Sequence, residues 1–131
     1  MKSIVFSDLH LGRRNSSEAH NTDCLNYIEW LVDQAKANDV DHIIFMGDWF
    51  ETRSSLNIHT LNYGWWAMQK LASLNLPIYL IVGNHDCYYK SSRSIHSLIQ
   101  YQEFANVTLI EEGATVVPEI GEKGVLMVPY L

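Results

Sequence analysis

Short apolar runs ending in polar, glycine-bearing turns recur along this chain, with amphipathic stretches between them. Ser3–Phe6 is the first such run, and Ser7-Asp8-Leu9-His10-Leu11-Gly12 follows it. Apolar residues at helical spacing (Leu25, Ile28, Leu31, Val32, Ala35) predict a helix over residues 21–37, with Asn21 or Thr22 as its cap. The second run, residues 42–46, enters Gly47-Asp48-Trp49-Phe50-Glu51. A second helix is predicted over 58–74, apolar around much of its circumference, with Ile58, Leu61, Trp65, Met68 and Ala72 in one stripe. Pro77 closes that connection. Residues 78–82 then form the third strand and deliver Gly83-Asn84-His85-Asp86.

Beyond this turn the pattern weakens. Ile95, Leu98, Ile99 and Phe104 suggest a short third helix, and Val107–Ile110 a fourth strand. A further pair of strands, 114–117 and 125–128, is joined by a hairpin turn at 121–124. Alternation of strand and helix predicts an α/β fold with parallel strands. Right-handed crossovers gather the C-terminal ends of such strands on one edge, where ligands of open α/β sheets bind. Asp8, His10, Asp48, Asn84 and His85 all fall there.

Composition adds limits. The 131 residues suit one domain; 47% are hydrophobic and 18% charged, as in ordinary soluble chains. No apolar run approaches the roughly 20 residues that span a bilayer, and the amino terminus enters a strand at once, unlike a signal peptide. Cys24 and Cys87 lie in unlike contexts, so neither a disulfide framework nor a cysteine zinc site is expected, and a reducing cytoplasm is the expected compartment. The net charge of −6 argues against an extended nonspecific nucleic-acid surface. It leaves open a metal-centred site, whose carboxylates are neutralised when cations bind.

The three tips carry the chemistry. Asp8 and His10, two apart, fall on one face of an extended segment. Carboxylate, imidazole and amide oxygen together suit manganese, iron or zinc. One aspartate bridging two ions, here Asp48, would hold them about 4 Å apart. His85, beside a ligand, can donate a proton or stabilise developing charge. Asp-x-His and Gly-Asp are each weak signals alone; Gly-Asn-His-Asp after a buried strand is far more specific. His20, His42, His59 and His96 read as surface or helix-face residues, and Glu51 as a loop or supporting group near Asp48. Arg13, Arg14, Arg53, Lys90 and Arg93 are read equally well as solvated loop residues or as contacts to a phosphate backbone.

Asp8-Leu9-His10, Gly47-Asp48 and Gly83-Asn84-His85-Asp86, in this order and spacing, resemble the calcineurin-like metallophosphoesterases. More narrowly, Ser7-Asp8-Leu9-His10-Leu11-Gly12, Gly47-Asp48-Trp49-Phe50-Glu51 and Val128-Pro129-Tyr130-Leu131 resemble the SbcD-type nucleases of double-strand-break repair and recombination, bacterial or phage. The resemblance implies a layered sheet flanked by helices. It also implies two divalent ions, manganese first among them: Asp8 and His10 on the first, Asp48 bridging, Asn84 on the second, and His85 at the scissile phosphate. The implied reaction is hydrolysis of DNA phosphodiesters, as a 3′–5′ exonuclease on duplex ends and an endonuclease on single strands. The implied partner is an SMC-like coiled-coil ATPase, in the cytoplasm of a bacterium or of a phage's host.

The family pattern continues with a further histidine and a Gly-His-x-His motif, yet no histidine follows His96 here. The chain therefore reads as the N-terminal portion of such a nuclease domain, without its capping and ATPase-binding regions, and weak metal binding with little activity is expected of it alone. Two readings remain open beside this one: a phosphomonoesterase or cyclic-nucleotide phosphodiesterase on the same scaffold, and a non-catalytic assembly module. The adjacent Trp65 and Trp66 either pack inward or, with Leu61, Met68, Ile95 and Ile99, form a homodimer interface. The resemblance favours the interface, because related nucleases dimerise through helices at these places.

Overall fold

A computed structural model describes residues 2–118 and 120–130. Met1, Glu119 and Leu131 lie outside the described residues, and Leu131 is the final residue of the 128–131 motif. Four strands form one parallel sheet in the order β1 (Ser3–Phe6), β2 (His42–Phe45), β3 (Ile78–Ile81), β4 (Val107–Ile110). Their register puts Phe6, Phe45, Leu80 and Leu109 in one row across the sheet. β2 and β3 are buried along their whole length, as parallel strands covered on both faces should be.

A single turn, α1 (Arg13–Ser16), precedes the two long helices. These, α2 (Glu18–Ala37) and α3 (Ile58–Ala72), pack against each other on one face of the sheet. There Phe6, Ile28, Leu31, Ile43, Phe45, Met68, Leu71, Ile78 and Leu80 make the main core. On the other face the antiparallel hairpin of β5 (Thr115–Val117) and β6 (Val125–Met127) lies over Ile44, Tyr79, Ile81 and Ile110. The hairpin does not cover everything: Val5 and Met46 stay more than half exposed.

Element boundaries follow local chemistry. α2 begins three residues before the expected Asn21, because the Ser17 hydroxyl accepts from the His20 amide and caps the helix. Asn57 does the same for α3 by accepting from the His59 amide. The third helix shrinks to a 3₁₀ segment, Ile99–Glu103. Residues 87 and 96 bridge antiparallel instead, with Tyr88 N–H on Ile95 O and Ser97 N–H on Asp86 O. Those bonds commit the backbone around Ile95 to a neighbouring segment, so a helix cannot begin there.

Three side-chain expectations change. Met68 is fully buried in the core and offers nothing to a partner surface. His42 and His96 are also buried; His42 lies beside the Tyr79 ring, and His96 pairs with Glu111. An imidazole can be buried when its ring stacks or its nitrogen finds an acceptor, which apolar periodicity does not reveal.

Candidate metal centre

Three loops meet at the C-terminal edge of the sheet, and backbone bonds fix how they meet. The loop after β1 runs beside the loop after β2: Asp8, His10 and Leu11 donate their amides to Gly47, Asp48 and Trp49 carbonyls, and Glu51 donates back to Leu11. The loop after β3 is pressed against the same place. A Cβ on Gly47 would lie 2.6 Å from Gly83 Cα, and one on Gly83 would lie 2.5 Å from Asp48 N. Only a pair of glycines lets these two tips come so close.

Asp8 and His10 converge by a different route from the expected extended segment. Both lie in the left-handed region, at φ 59° and 52°, as does Asp48 at 63°. Such residues cost on the order of 1–3 kcal/mol each and persist where surrounding bonds hold them. The result places His10 Nε2 3.1 Å from Asp8 Oδ1 and 3.9 Å from Asp48 Oδ2. Ligand atoms of Asp8, His10 and Asp48 lie within 4.8 Å of one another, and so do those of a second trio, His10, Glu51 and His85. His10 belongs to both.

His85 sits beside this cluster. Its amide donates to Asp48 Oδ1 at 2.8 Å, its Nδ1 is 2.7 Å from the Glu51 carbonyl, and its ring meets the His10 ring edge-on at 5.1 Å. Asn84 is held differently: its side-chain oxygen accepts from Arg53 Nη2. Glu51 is more central than its sequence position suggests. One oxygen is 3.3 Å from His10 Nδ1 and 3.6 Å from His85 Nδ1, while the other takes a 2.8 Å bond from Arg13.

Asp86, the last residue of the motif, is a buried clamp and had no assigned role from sequence. Its carboxylate accepts backbone amides from Gly83, Asp48 and Trp49 at 2.8–3.0 Å, joining the β2 and β3 tips from beneath. Burial pushes its carboxyl up from the usual range, against the pull of those amides. At the surface the balance is reversed. The Ser7 hydroxyl, with His10, holds Asp8 below its ordinary value. Burial works against ionised Glu51, but the Arg13 bond and the charges of His10, Arg13 and His85 together depress it.

The donor set therefore suits a divalent cation: hard carboxylate oxygens and imidazole nitrogens converge, and His10 Nδ1, though 3.3 Å from Glu51, is buried and makes no hydrogen bond among the described residues. A parallel α/β sheet with acidic and imidazole side chains gathered at its C-terminal lip defines a metallohydrolase type of site. The chain belongs to the calcineurin-like phosphoesterase family, which it matches over residues 1–126. It is 26% identical over 117 residues to exonuclease subunit 1 of enterobacteria phage T4, covering 88% of this chain and 34% of that protein. It is also 26% identical over 110 residues to the SbcD component of the SbcCD nuclease of Escherichia coli K12, covering 84% and 26%. In fold it is similar to the nuclease MPE of Pseudomonas putida, with a TM-score of 0.57 at 20% identity, over 88% of this chain and 50% of that one. The chain spans about a third or less of the length of these curated relatives. No helix among the described residues is long and apolar enough to cross a membrane.

Proposed function

We propose that this chain supplies the metal-binding half of a nuclease that hydrolyses DNA phosphodiesters with two divalent ions, manganese by preference. The observation that carries the reading is the convergence of Asp8, His10 and Asp48 on one trio while His10, Glu51 and His85 form another beside it. In this reading Asp8 and His10 hold the first ion, Asp48 lies between the two, and Asn84 turns from Arg53 to the second. Bound divalent ions would activate water and screen the negative charge of the phosphate. His85, held by Asp48 through its amide and by the Glu51 carbonyl through its ring, presents its remaining nitrogen to the phosphate and stabilises charge there. Glu51 sets the orientation of both imidazoles.

The nuclease names of the relatives and the resemblance of the three motifs to double-strand-break repair enzymes support DNA as substrate, acted on by 3′–5′ exonuclease cleavage of duplex ends and endonuclease cleavage of single strands. The resemblance of the motifs, not those names, is what supports an SMC-like ATPase partner, a homodimer and a cytoplasmic setting. The donors of this chain fall short of two full coordination shells, so turnover by the 131 residues alone should be low. The test is manganese-dependent cleavage of linear duplex DNA and single-stranded circles, beside p-nitrophenyl phosphate, with Asp48→Asn as control. DNA cleavage should exceed monoester turnover, and the substitution should cost on the order of 100-fold. Faster turnover of the monoester would transfer the reading to a phosphomonoesterase.

A further inference from the structure

The loop that carries Asp8 and His10 is strained, and its own amides account for only part of what holds it. Two of its carbonyls and the amide at its far end are met by one face of the first turns of α2. His20 Nε2 lies 2.9 Å from the His10 carbonyl. A carbonyl only accepts, so this nitrogen carries the proton. One turn on, Cys24 Sγ is 3.4 Å from the Leu9 carbonyl and 3.4 Å from the same His20 nitrogen. Burial raises the Cys24 pKa to about 11, which keeps the thiol protonated and able to donate. Between them, Asn21 Oδ1 accepts the Gly12 amide at 2.9 Å. Its Nδ2 donates to Thr60 Oγ1 at 3.0 Å and lies 3.1 Å from His59 Nδ1, so the first turn of α3 braces it. Asn21 and Thr60 are almost wholly buried.

These contacts fall on three backbone groups of a segment whose two candidate ligands sit at positive φ. Leucine at residues 20 and 21 would leave the His10 carbonyl and the buried Gly12 amide without these partners. Polar side chains at those two positions are explained by the backbone groups they satisfy. We propose that His20 and Asn21 are positioning residues that hold the 8–12 loop in its left-handed course and so aim His10 at the metal. Neither touches the metal or the phosphate. Only the consequence for the metal rests on the function proposed above.

His20 is half-buried at the edge of this network, so it can be changed without emptying the core. His20→Ala removes the donor, whereas His20→Gln keeps an N–H at similar reach. Two measurements on the full chain separate positioning from mere support. In hydrogen exchange, the His10 and Leu11 amides of His20→Ala should exchange about tenfold faster while those of Ile44 and Leu80 are unchanged, and His20→Gln should restore them. In manganese(II) titration followed by electron paramagnetic resonance, affinity should fall about tenfold in the alanine variant and recover in the glutamine variant. Unchanged loop exchange in His20→Ala, or faster exchange with unaltered manganese affinity, overturns the positioning role. A wild-type chain that takes up no manganese, with the exchange pattern as expected, would instead remove the metal reading and leave the clamp standing.

Discussion

Asp86 shows how one side chain can hold a site together without entering it. Its carboxylate ties Gly83 to Asp48 and Trp49, which fixes the spacing of two of the tips that carry candidate ligands. Asparagine in its place keeps one acceptor and turns an NH₂ group toward amides that also donate. Hydrogen bonds to a charged acceptor contribute about 1.5–3 kcal/mol each, so Asp86→Asn should lose about 3 kcal/mol. For a chain of this size that is roughly 10 °C in Tm, measurable by calorimetry. Glu51 gives the opposite kind of pH dependence from a buried, raised carboxyl. Its folded pKa is depressed below 4.5, so the stability it adds is present above 4.5 and lost as pH falls through the lower folded value. Glu51→Gln should therefore be less stable than wild type near neutral pH, and the two should converge in urea titrations carried below 4.5. A gap that stays constant across that window would show that Glu51 does not gain its stability from ionisation.

At the scale of elements, the parts of the fold that apolar periodicity controls were legible in the sequence. Strands β1 to β4 and helices α2 and α3 stand within a few residues of where alternation and helical spacing place them. What periodicity does not encode was missed. The extra turn of α2 came from a serine cap, and the lost third helix from a bridge between residues 87 and 96, which are near in space because the chain doubles back. The site divides in the same way. Asp8, His10 and Asp48 were recognisable as residues arriving on one edge, and the structure does bring them together. Their geometry was not recognisable, because the left-handed backbone at Asp8 and His10 is tied to β2-tip carbonyls distant in sequence, and His20 of α2 meets the His10 carbonyl. Asp86 was quoted within the motif, yet its work depends on three amides, two of them more than 35 residues away. Glycine could have given the signal: Gly47 and Gly83 each end a strand, and two such tips in contact need an acceptor beneath them to satisfy the amides they turn inward.

Among the described residues, two of the exposed apolar surfaces are candidate seats for the proposed homodimer. On the sheet, Val5 and Met46 remain exposed beside the hairpin, whose Val116 and Leu126 are also open. Around α3, Ile58 and Trp66 are each about half exposed or more, as are Ile95 and Ile99 in the segment after β3. Trp65 is spent internally, its ring against Tyr101 and Phe104, and Met68 lies in the core. That leaves Trp66, with Leu61, Ile95 and Ile99, from the interface expected in the sequence. Trp66 is the strongest anchor among them, because its ring is braced by Tyr63 at 5.2 Å and keeps a broad apolar edge free. If the helical side forms the dimer, Trp66→Glu with Ile99→Glu should raise the dimer dissociation constant about 30-fold or more, since a buried aromatic anchor contributes about 2 kcal/mol or more. Val5→Thr with Met46→Gln should leave it unchanged. Sedimentation velocity on the two double variants decides between the faces. Loss of dimer in the sheet variant alone would place the contact on the open half of the sheet and leave Trp66 without a partner.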